Sequence, residues 1–315
     1  MLNNNTIGVV IPAYNEGKLI SKVMDTMPEF VDYMIIVNDG SKDETKKRIE
    51  DKALCDSRII LLDHEVNKGL GQTLIDGYLK SREMGIDVVA VMAGDAQMDP
   101  DDLENVVMPI VKGETDYVKG SRLLVNGVKK KMPKYRFIGN NILTLLTKFA
   151  TGYWHVIDPQ CGYTAISHEA ISEIPIEEMI KGYGYNAHIL YMLNMSNYRV
   201  KDVKVKPVYG EEVSKIKLGK YIRKVSALLC RLFFSRIFKK YMLVDFNPAA
   251  MFYLLAFICC PFALIFLIRM LFIFTTTLLM PNTTLILFVF TTIMGVQSLF
   301  FAMWMDMEDN RRLRA

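Results

Sequence analysis

The sequence predicts a mostly parallel α/β sheet flanked by helices, followed by an interfacial amphipathic helix and a two-helix transmembrane hairpin. Three observations carry that expectation. Short β-rich runs recur at intervals of about 25–30 residues and alternate with segments of helical period, as βα units do. A stretch of 57 residues, Ala249 to Met305, holds a single charge, Arg269. Just before it, Val213 to Val244 holds nine Lys and Arg and no acid. The 315-residue chain therefore divides into a cytosolic domain over 1–212, a basic juxtamembrane segment over 213–245, and a hairpin over 246–315 with a short cytosolic tail.

The expected strands are Ile7–Ile11, Tyr33–Val37, Arg58–Leu62, Asp87–Met92 and Asp116–Val118. Between the first two, Glu16–Met27 sets Leu19, Ile20, Val23, Met24 and Met27 on one helical face. Ser41-Lys42-Asp43-Glu44 reads as a capping box opening the second helix. The third helix runs from about Leu70 to Met84, with Leu74, Tyr78 and Leu79 inward.

In the tail, 249–268 and 285–304 are two runs of 20 uncharged, mostly apolar residues. At about 1.5 Å per residue each spans about 30 Å, the thickness of a bilayer core. Thr275–Thr277 and Pro281-Asn282-Thr283-Thr284 supply the turn, Pro261 kinks the first span, and Trp304 suits the interface. The basic block precedes the first span and Arg311-Arg312-Leu313-Arg314 follows the second, which places both ends in the cytosol. The host membrane is then the plasma membrane of a prokaryote or the ER membrane of a eukaryote. A buried apolar hairpin in a soluble core is the competing reading.

The net charge of +4 is thus a +9 block on a −5 remainder. The cations alternate with Leu228, Leu232, Phe233 and Ile237, which suits an anionic membrane surface better than nucleic acid, and no nucleic-acid partner is expected. Five cysteines without a Cys-x-x-Cys pair and four scattered histidines argue against a disulfide framework or a zinc site. Met1-Leu2-Asn3-Asn4-Asn5 shows no secretory signal.

In parallel sheets ligands bind beyond the carboxyl ends of the strands. Those ends carry Pro12-Ala13-Tyr14-Asn15-Glu16, Asn38-Asp39-Gly40-Ser41, Asn67-Lys68-Gly69-Leu70-Gly71, Gly94-Asp95-Ala96-Gln97 and Lys119-Gly120-Ser121-Arg122. Each alone is an ordinary loop, but together they describe one polar site. There is no Gly-x-Gly-x-x-Gly after the first strand and no P-loop, which excludes the usual dinucleotide and NTP folds. Asp39 suits a ribose or a base, or a turn. Lys68 with Gly69 and Gly71 at a helix start suits an anionic group. Asp95 and Gln97 offer hard oxygens for Mg²⁺ or Mn²⁺ bridging a diphosphate.

The ordered set Ile11-Pro12-Ala13-Tyr14-Asn15-Glu16, Val37-Asn38-Asp39-Gly40-Ser41, Asn67-Lys68-Gly69, Asp95-Ala96-Gln97 and Gly120-Ser121-Arg122 resembles family 2 glycosyltransferases of the GT-A fold. Asp158-Pro159-Gln160-Cys161-Gly162-Tyr163 and Tyr209-Gly210-Glu211-Glu212-Val213-Ser214-Lys215 resemble the dolichyl-phosphate mannose synthase and polyprenyl-phosphate branch. The resemblance covers about Ile7 to Lys217, and a two-helix hairpin recurs in that branch. It implies a nucleotide-sugar donor at Pro12, Tyr14, Glu16, Val37, Asp39 and Lys68, with Ala93, Gly94 and Asp95 at the metal loop. It implies Mg²⁺ or Mn²⁺ at Asp95 and Gln97, and an acceptor phosphate at Arg122, Arg136, Ser214 and Lys215. Asp95, Arg122, Arg136 and Asp158 form the expected catalytic set. Family members often start the metal loop with Asp-x-Asp, whereas Ala93 stands first here, one carboxylate fewer.

The expected reaction is an inverting transfer of a sugar from GDP-mannose, a UDP-hexose or UDP-N-acetylglucosamine to dolichyl or undecaprenyl phosphate. A phosphate monoester is anionic at neutral pH and needs no general base, unlike a sugar hydroxyl. Asp158 is expected to orient an Arg, to hold the sugar, or to cap a loop. Two readings compete. One is transfer to a hydroxyl of a lipid-linked saccharide, with Asp158 or Asp99 as base. The other is an inactive membrane-anchored binding protein, suggested by Ala93. The membrane and the two substrates are the expected partners, and a homo-oligomer is compatible with the sequence.

Overall fold

A computed structural model describes residues 1–124, 134–206 and 218–315, and their side chains except at 134–138 and 218–221. The chain forms two compact units, Met1–Phe233 with Leu313–Ala315, and Phe234–Arg312.

The first unit is built on a seven-stranded sheet in the order β3-β2-β1-β4-β6-β5-β7. The strands are β1 Ile7–Ala13, β2 Tyr33–Asn38, β3 Ile59–Asp63, β4 Val88–Val91, β5 Tyr117–Ser121, β6 Thr164–Ser167 and β7 Val200–Lys204. All neighbours are parallel except β6, which runs antiparallel to both β4 and β5. The five strands expected from the sequence are present, with two more, and β6 separates the fourth from the fifth. Because β6 is reversed, the loop entering it arrives at the edge where β4 and β5 end. That reversal is what carries residues 158–163 to the site.

Helices α1 Ile20–Asp25, α2 Thr45–Ala53, α3 Leu70–Glu83 and α4 Leu103–Val111 follow the first four strands. Beyond β5 come α5 Lys134–Thr151, α6 His168–Glu173 and α7 Tyr185–Met195, and α8 Leu218–Phe238 follows β7. Strand residues alternate between two cores, as period-two geometry requires. Val10, Ile35 and Val89 pack with Leu74, Ile75 and Tyr78 of α3 and with α7. Val9, Ile11, Met34 and Ile36 face Val23 and Met24 of α1 and Val106 and Val107 of α4 on the other side. Strands covered on both faces read as near-continuous apolar runs, which is what β1 and β2 show.

The first helix is shorter than its apolar period suggests. Leu19 and Ile20 N–H both donate to the Glu16 carbonyl, so residues 16–19 form a turn. The expected capping box does not form. The Ser41 hydroxyl accepts instead from Asn15 N–H (2.9 Å), and Glu44 at the N-cap makes no side-chain cap bond. Loop-to-loop bonding outcompetes the local motif.

The second unit contains α9 Pro248–Thr277 and α10 Asn282–Asp309, both long and apolar enough to cross a membrane. Their outward faces are apolar and exposed, with Phe272, Ile286 and Phe300 among them. The sequence placed Thr275–Thr277 in the turn. Their hydroxyls bond back to the Phe272 and Ile273 carbonyls, and the helix continues through them. Within this unit Arg236 and Asp306 are both fully buried and paired through two bonds of 2.6 and 2.8 Å. Tyr241 and Asn310 complete the carboxylate's hydrogen bonds. Arg236 and Lys240, counted above in the membrane-facing basic block, are thus internal groups.

Candidate active site

The carboxyl ends of β1 and β2 are stitched together by their own loops. Asp39 N–H donates to the Ala13 carbonyl (2.9 Å), Lys42 N–H to Asn15 Oδ1 (2.9 Å), and Glu16 N–H to Thr45 Oγ1 (2.9 Å). Gly40 has φ +67°, and a Cβ there would lie 2.7 Å from Asn67 N, so the turn after Asp39 needs glycine. The stitching leaves Tyr14 45% exposed on the rim. Val37 is fully buried, in register with Pro12.

Asp39 is 3% exposed, and its carboxylate organises three neighbouring segments. Oδ1 accepts from Lys68 N–H (2.8 Å) and lies 2.8 Å from His64 Nδ1, while Oδ2 accepts from Gly69 N–H (2.9 Å). The other imidazole nitrogen, Nε2, lies 2.8 Å from Asp76 Oδ2 on α3, and Gln72 donates to Asp76 Oδ1. Gly71 N–H donates to the Lys181 carbonyl, and a Cβ there would sit 2.2 Å from the Ile180 oxygen, so only glycine permits this approach. The amides of Lys68, Gly69 and Gly71, which the sequence offered to an anion, are therefore taken by Asp39 and Lys181. The exposed Lys68 ammonium is what that loop offers a ligand.

The loop after β4 sits beside the first: Gly94 N–H donates to the Pro12 carbonyl (3.2 Å). Ala96 takes a left-handed φ of +54°, and Gln97 N–H closes the turn on Asp95 Oδ1 (3.1 Å). Burial pushes the Asp95 carboxyl above its usual range, against the lowering effect of the Gln97 N–H bond. Such a carboxylate suits a divalent cation. Among the described residues, however, no three His, Cys, Asp or Glu side chains converge on one point. Asp95 and the Gln97 amide fit a metal only as part of a ligand set completed by water and phosphate oxygens.

Across the edge, Arg122 follows β5 and meets Asp158 from the loop entering β6. Asp158 Oδ2 accepts from Arg122 Nε (2.9 Å) and backbone N–H (3.3 Å), and Oδ1 from Nη2 (3.1 Å). Asp158 is buried while the Arg122 side chain stays 44% exposed. Of the roles open to Asp158 from sequence, orientation of an Arg is the one that matches this pairing with Arg122. Asp99 accepts from Asp101 N–H and lies 3.6 Å from Lys206 Nζ. Tyr163 OH donates to the Asp99 carbonyl (3.1 Å), tying the two loops. Arg136 lies on α5 with its side chain outside the described residues, and Ser214 and Lys215 fall wholly outside them.

Sequence reasoning missed His64, dismissed for want of ligand spacing, and Asp76. It names Lys119 only as part of the loop after the fifth strand, and it misses Asp202. The usable signal for His64 was its position, directly after a strand and opposite Asp39.

A model of glycosyl transferase family 2 matches residues 8–175. The UDP-N-acetylglucosamine--dolichyl-phosphate N-acetylglucosaminyltransferase of Methanococcus voltae is 33% identical over 218 residues, covering 65% of this chain and 86% of that protein. A dolichyl-phosphate beta-glucosyltransferase of Trichomonas vaginalis is 28% identical, covering 68% and 67%. In fold, the chain resembles the glucosyl-3-phosphoglycerate synthase of Mycobacterium tuberculosis solved with UDP, with a TM-score of 0.55 and 22% identity over 73% and 80% of the two chains. A further crystal of that synthase holds Mn²⁺, UDP-glucose and phosphoglyceric acid.

Proposed function

The chain belongs to glycosyl transferase family 2, and on that premise we propose that it transfers a sugar from a UDP or GDP donor to the phosphate of a polyprenol, dolichol or undecaprenol. The observation that carries this reading is the engagement of both carboxylates that a hydroxyl acceptor would need. Asp158 is held by Arg122, and Asp99 is tied to Asp101 N–H and Lys206. A base so engaged is poorly placed to take a proton, whereas a phosphate monoester arrives already ionised. The dolichyl-phosphate substrates in the names of both relatives support the same acceptor class.

In this reading Pro12, Tyr14, Glu16 and Asp39 frame the nucleotide, with Lys68, Ala93 and Gly94 beside its phosphates. Arg122, held by Asp158 and assisted by Arg136, Ser214 and Lys215, receives the acceptor phosphate. An acceptor oxygen attacks the anomeric carbon in line as the bond to the nucleoside diphosphate breaks, which inverts that centre. Arg122 offsets the charge of the incoming phosphate. When bound at Asp95 and Gln97, Mg²⁺ or Mn²⁺ supplies charge compensation for the leaving diphosphate. Residues 1–212 carry the chemistry with Ser214 and Lys215 at the acceptor, the rest of 213–245 meets the membrane surface apart from the buried Arg236 and Lys240, and 246–315 anchor the chain. The flanking cations support a cytosolic site.

The test incubates membranes containing the protein with labelled UDP-N-acetylglucosamine, UDP-glucose or GDP-mannose plus polyprenyl phosphate, with and without EDTA. Label entering the organic phase from one donor, and lost with EDTA, is the expected result. No transfer from any donor overturns the proposal.

A further inference from the structure

Lys119 lies on β5, three residues before Arg122, and is fully buried. Its Nζ donates to Asn186 Oδ1 of α7 (2.6 Å), and Asn186 Nδ2 reaches the Gln160 carbonyl (3.5 Å) in the loop that bears Asp158. It makes no direct ion pair among the described residues. The charges acting on it are Asp158 and Asp202 of β7, which favour the ammonium, and Arg122, which opposes it. Asp202 Oδ2 accepts from Ile157 N–H (2.6 Å), whereas its Oδ1 is buried without a hydrogen-bond partner. An ammonium kept out of water without a direct counter-ion is costly, and an apolar side chain of the same length would not be.

We propose that Lys119 is a positioning residue for the acceptor, whose buried charge cancels the excess negative charge of Asp158 and Asp202 so that Arg122 can receive a phosphate. This rests on the function proposed above. Around Lys119 itself, Asp158, Asp202 and Arg122 sum to one negative charge, before the cations Lys148, Arg136 and Lys215 are counted, and that local charge opposes an incoming phosphate at Arg122. Lys119 brings that sum to zero, and it does so from the protein interior, where screening by salt is weak.

The charge responds to pH near neutrality. Burial pulls the Lys119 ammonium down to about 8 and pushes the Asp202 carboxyl up to about 6. Lys148 of α5 also acts on Asp202, in the lowering direction. Lys119 is therefore charged below about pH 8 and neutral above, so acceptor affinity should fall as pH rises through that value.

Steady-state transfer with the full-length protein in detergent, polyprenyl phosphate and donor varied in turn, tests the inference. Lys119→Met should raise the acceptor KM about tenfold and leave the donor KM within about twofold. Lys119→Gln, which keeps a donor toward Asn186 without the charge, should be equally impaired. The double variant Lys119→Met/Asp202→Asn, neutral again, should recover most of the loss and lack the alkaline limb near pH 8. Asp202→Asn alone, which leaves Lys119 in place, should lower the acceptor KM and covers the case in which Lys119→Met does not fold. An unchanged acceptor KM in Lys119→Met overturns the inference, as does rescue by Gln, or a double variant no better than the single. If the wild-type protein transfers no sugar to polyprenyl phosphate, the function itself falls. If it does and Lys119→Met behaves as wild type, only this inference falls.

Discussion

Replacing His64 by Ala cuts both links between the Asp39 carboxylate and α3. Each is a 2.8 Å contact to a carboxylate, in a ring only 6% exposed at its side chain. A hydrogen bond to a charged group contributes about 1.5–3 kcal/mol net. The Asp39 contact is the one that reaches the proposed donor site, and Asp39 keeps the Lys68 and Gly69 amides, so the low end applies. About 1.5 kcal/mol corresponds to roughly a tenfold rise in donor KM. The Asp76 contact adds a similar loss of stability without touching the donor. Initial-rate transfer assays with donor varied at saturating acceptor, and the reverse, read the two effects apart, alongside thermal unfolding. Asp76→Asn is the internal control, expected to cost stability with a donor KM within about threefold of wild type. An unchanged donor KM in a destabilised His64→Ala protein would show that His64 only staples the core. Equal shifts in donor and acceptor KM would refute the assignment of Asp39 to the donor side.

Arg122→Lys keeps the charge but loses the two-point fork to Asp158, and should raise the acceptor KM about tenfold while the donor KM holds. Asp202→Asn should stabilise the protein at pH 7. Its folded carboxyl titrates near 6, above the unfolded value, so the penalty is absent below about pH 4, grows to pH 6 and persists above. The gain should be on the order of 2–3 kcal/mol at pH 7 and vanish near pH 4 in denaturation curves. Asp306→Leu alone should cost about 3–5 kcal/mol by stranding a buried Arg236, whereas Arg236→Met/Asp306→Leu should fall within about 2 kcal/mol of wild type. A double variant as unstable as the single would contradict this.

Much of the fold was legible because strands buried on both faces announce themselves as apolar runs, as at Ile7–Ile11 and Tyr33–Val37. Thr164–Ser167 and Val200–Lys204 gave no such signal. The first is four residues long, and the second, at the sheet edge, carries Lys201, Asp202 and Lys204. The reversed placement of β6 depends on pairing between Val88–Val91 and Thr164–Ser167, a long-range choice that no local pattern encodes. The capping box at Ser41 failed for the same reason, since a tertiary partner, Asn15 N–H, was available to the hydroxyl. In the candidate site, strand-end position singles out Asp39, Asp95 and Arg122, but not the His64 partner of Asp39, and it leaves Asp158 open between orienting an Arg, holding the sugar and capping a loop. His64 is 25 residues from Asp39, and Asp158 is 36 from Arg122. Arg236 looked like one more cation in a basic block because Asp306 lies 70 residues further on.

The chemistry of the product tests the central claim most directly. Labelled sugar recovered in the organic phase should be released by mild acid, and mass spectrometry should find one hexose or N-acetylhexosamine added to polyprenyl phosphate through a phosphodiester. A product stable to mild acid, with the sugar on a hydroxyl, would contradict transfer to a lipid phosphate.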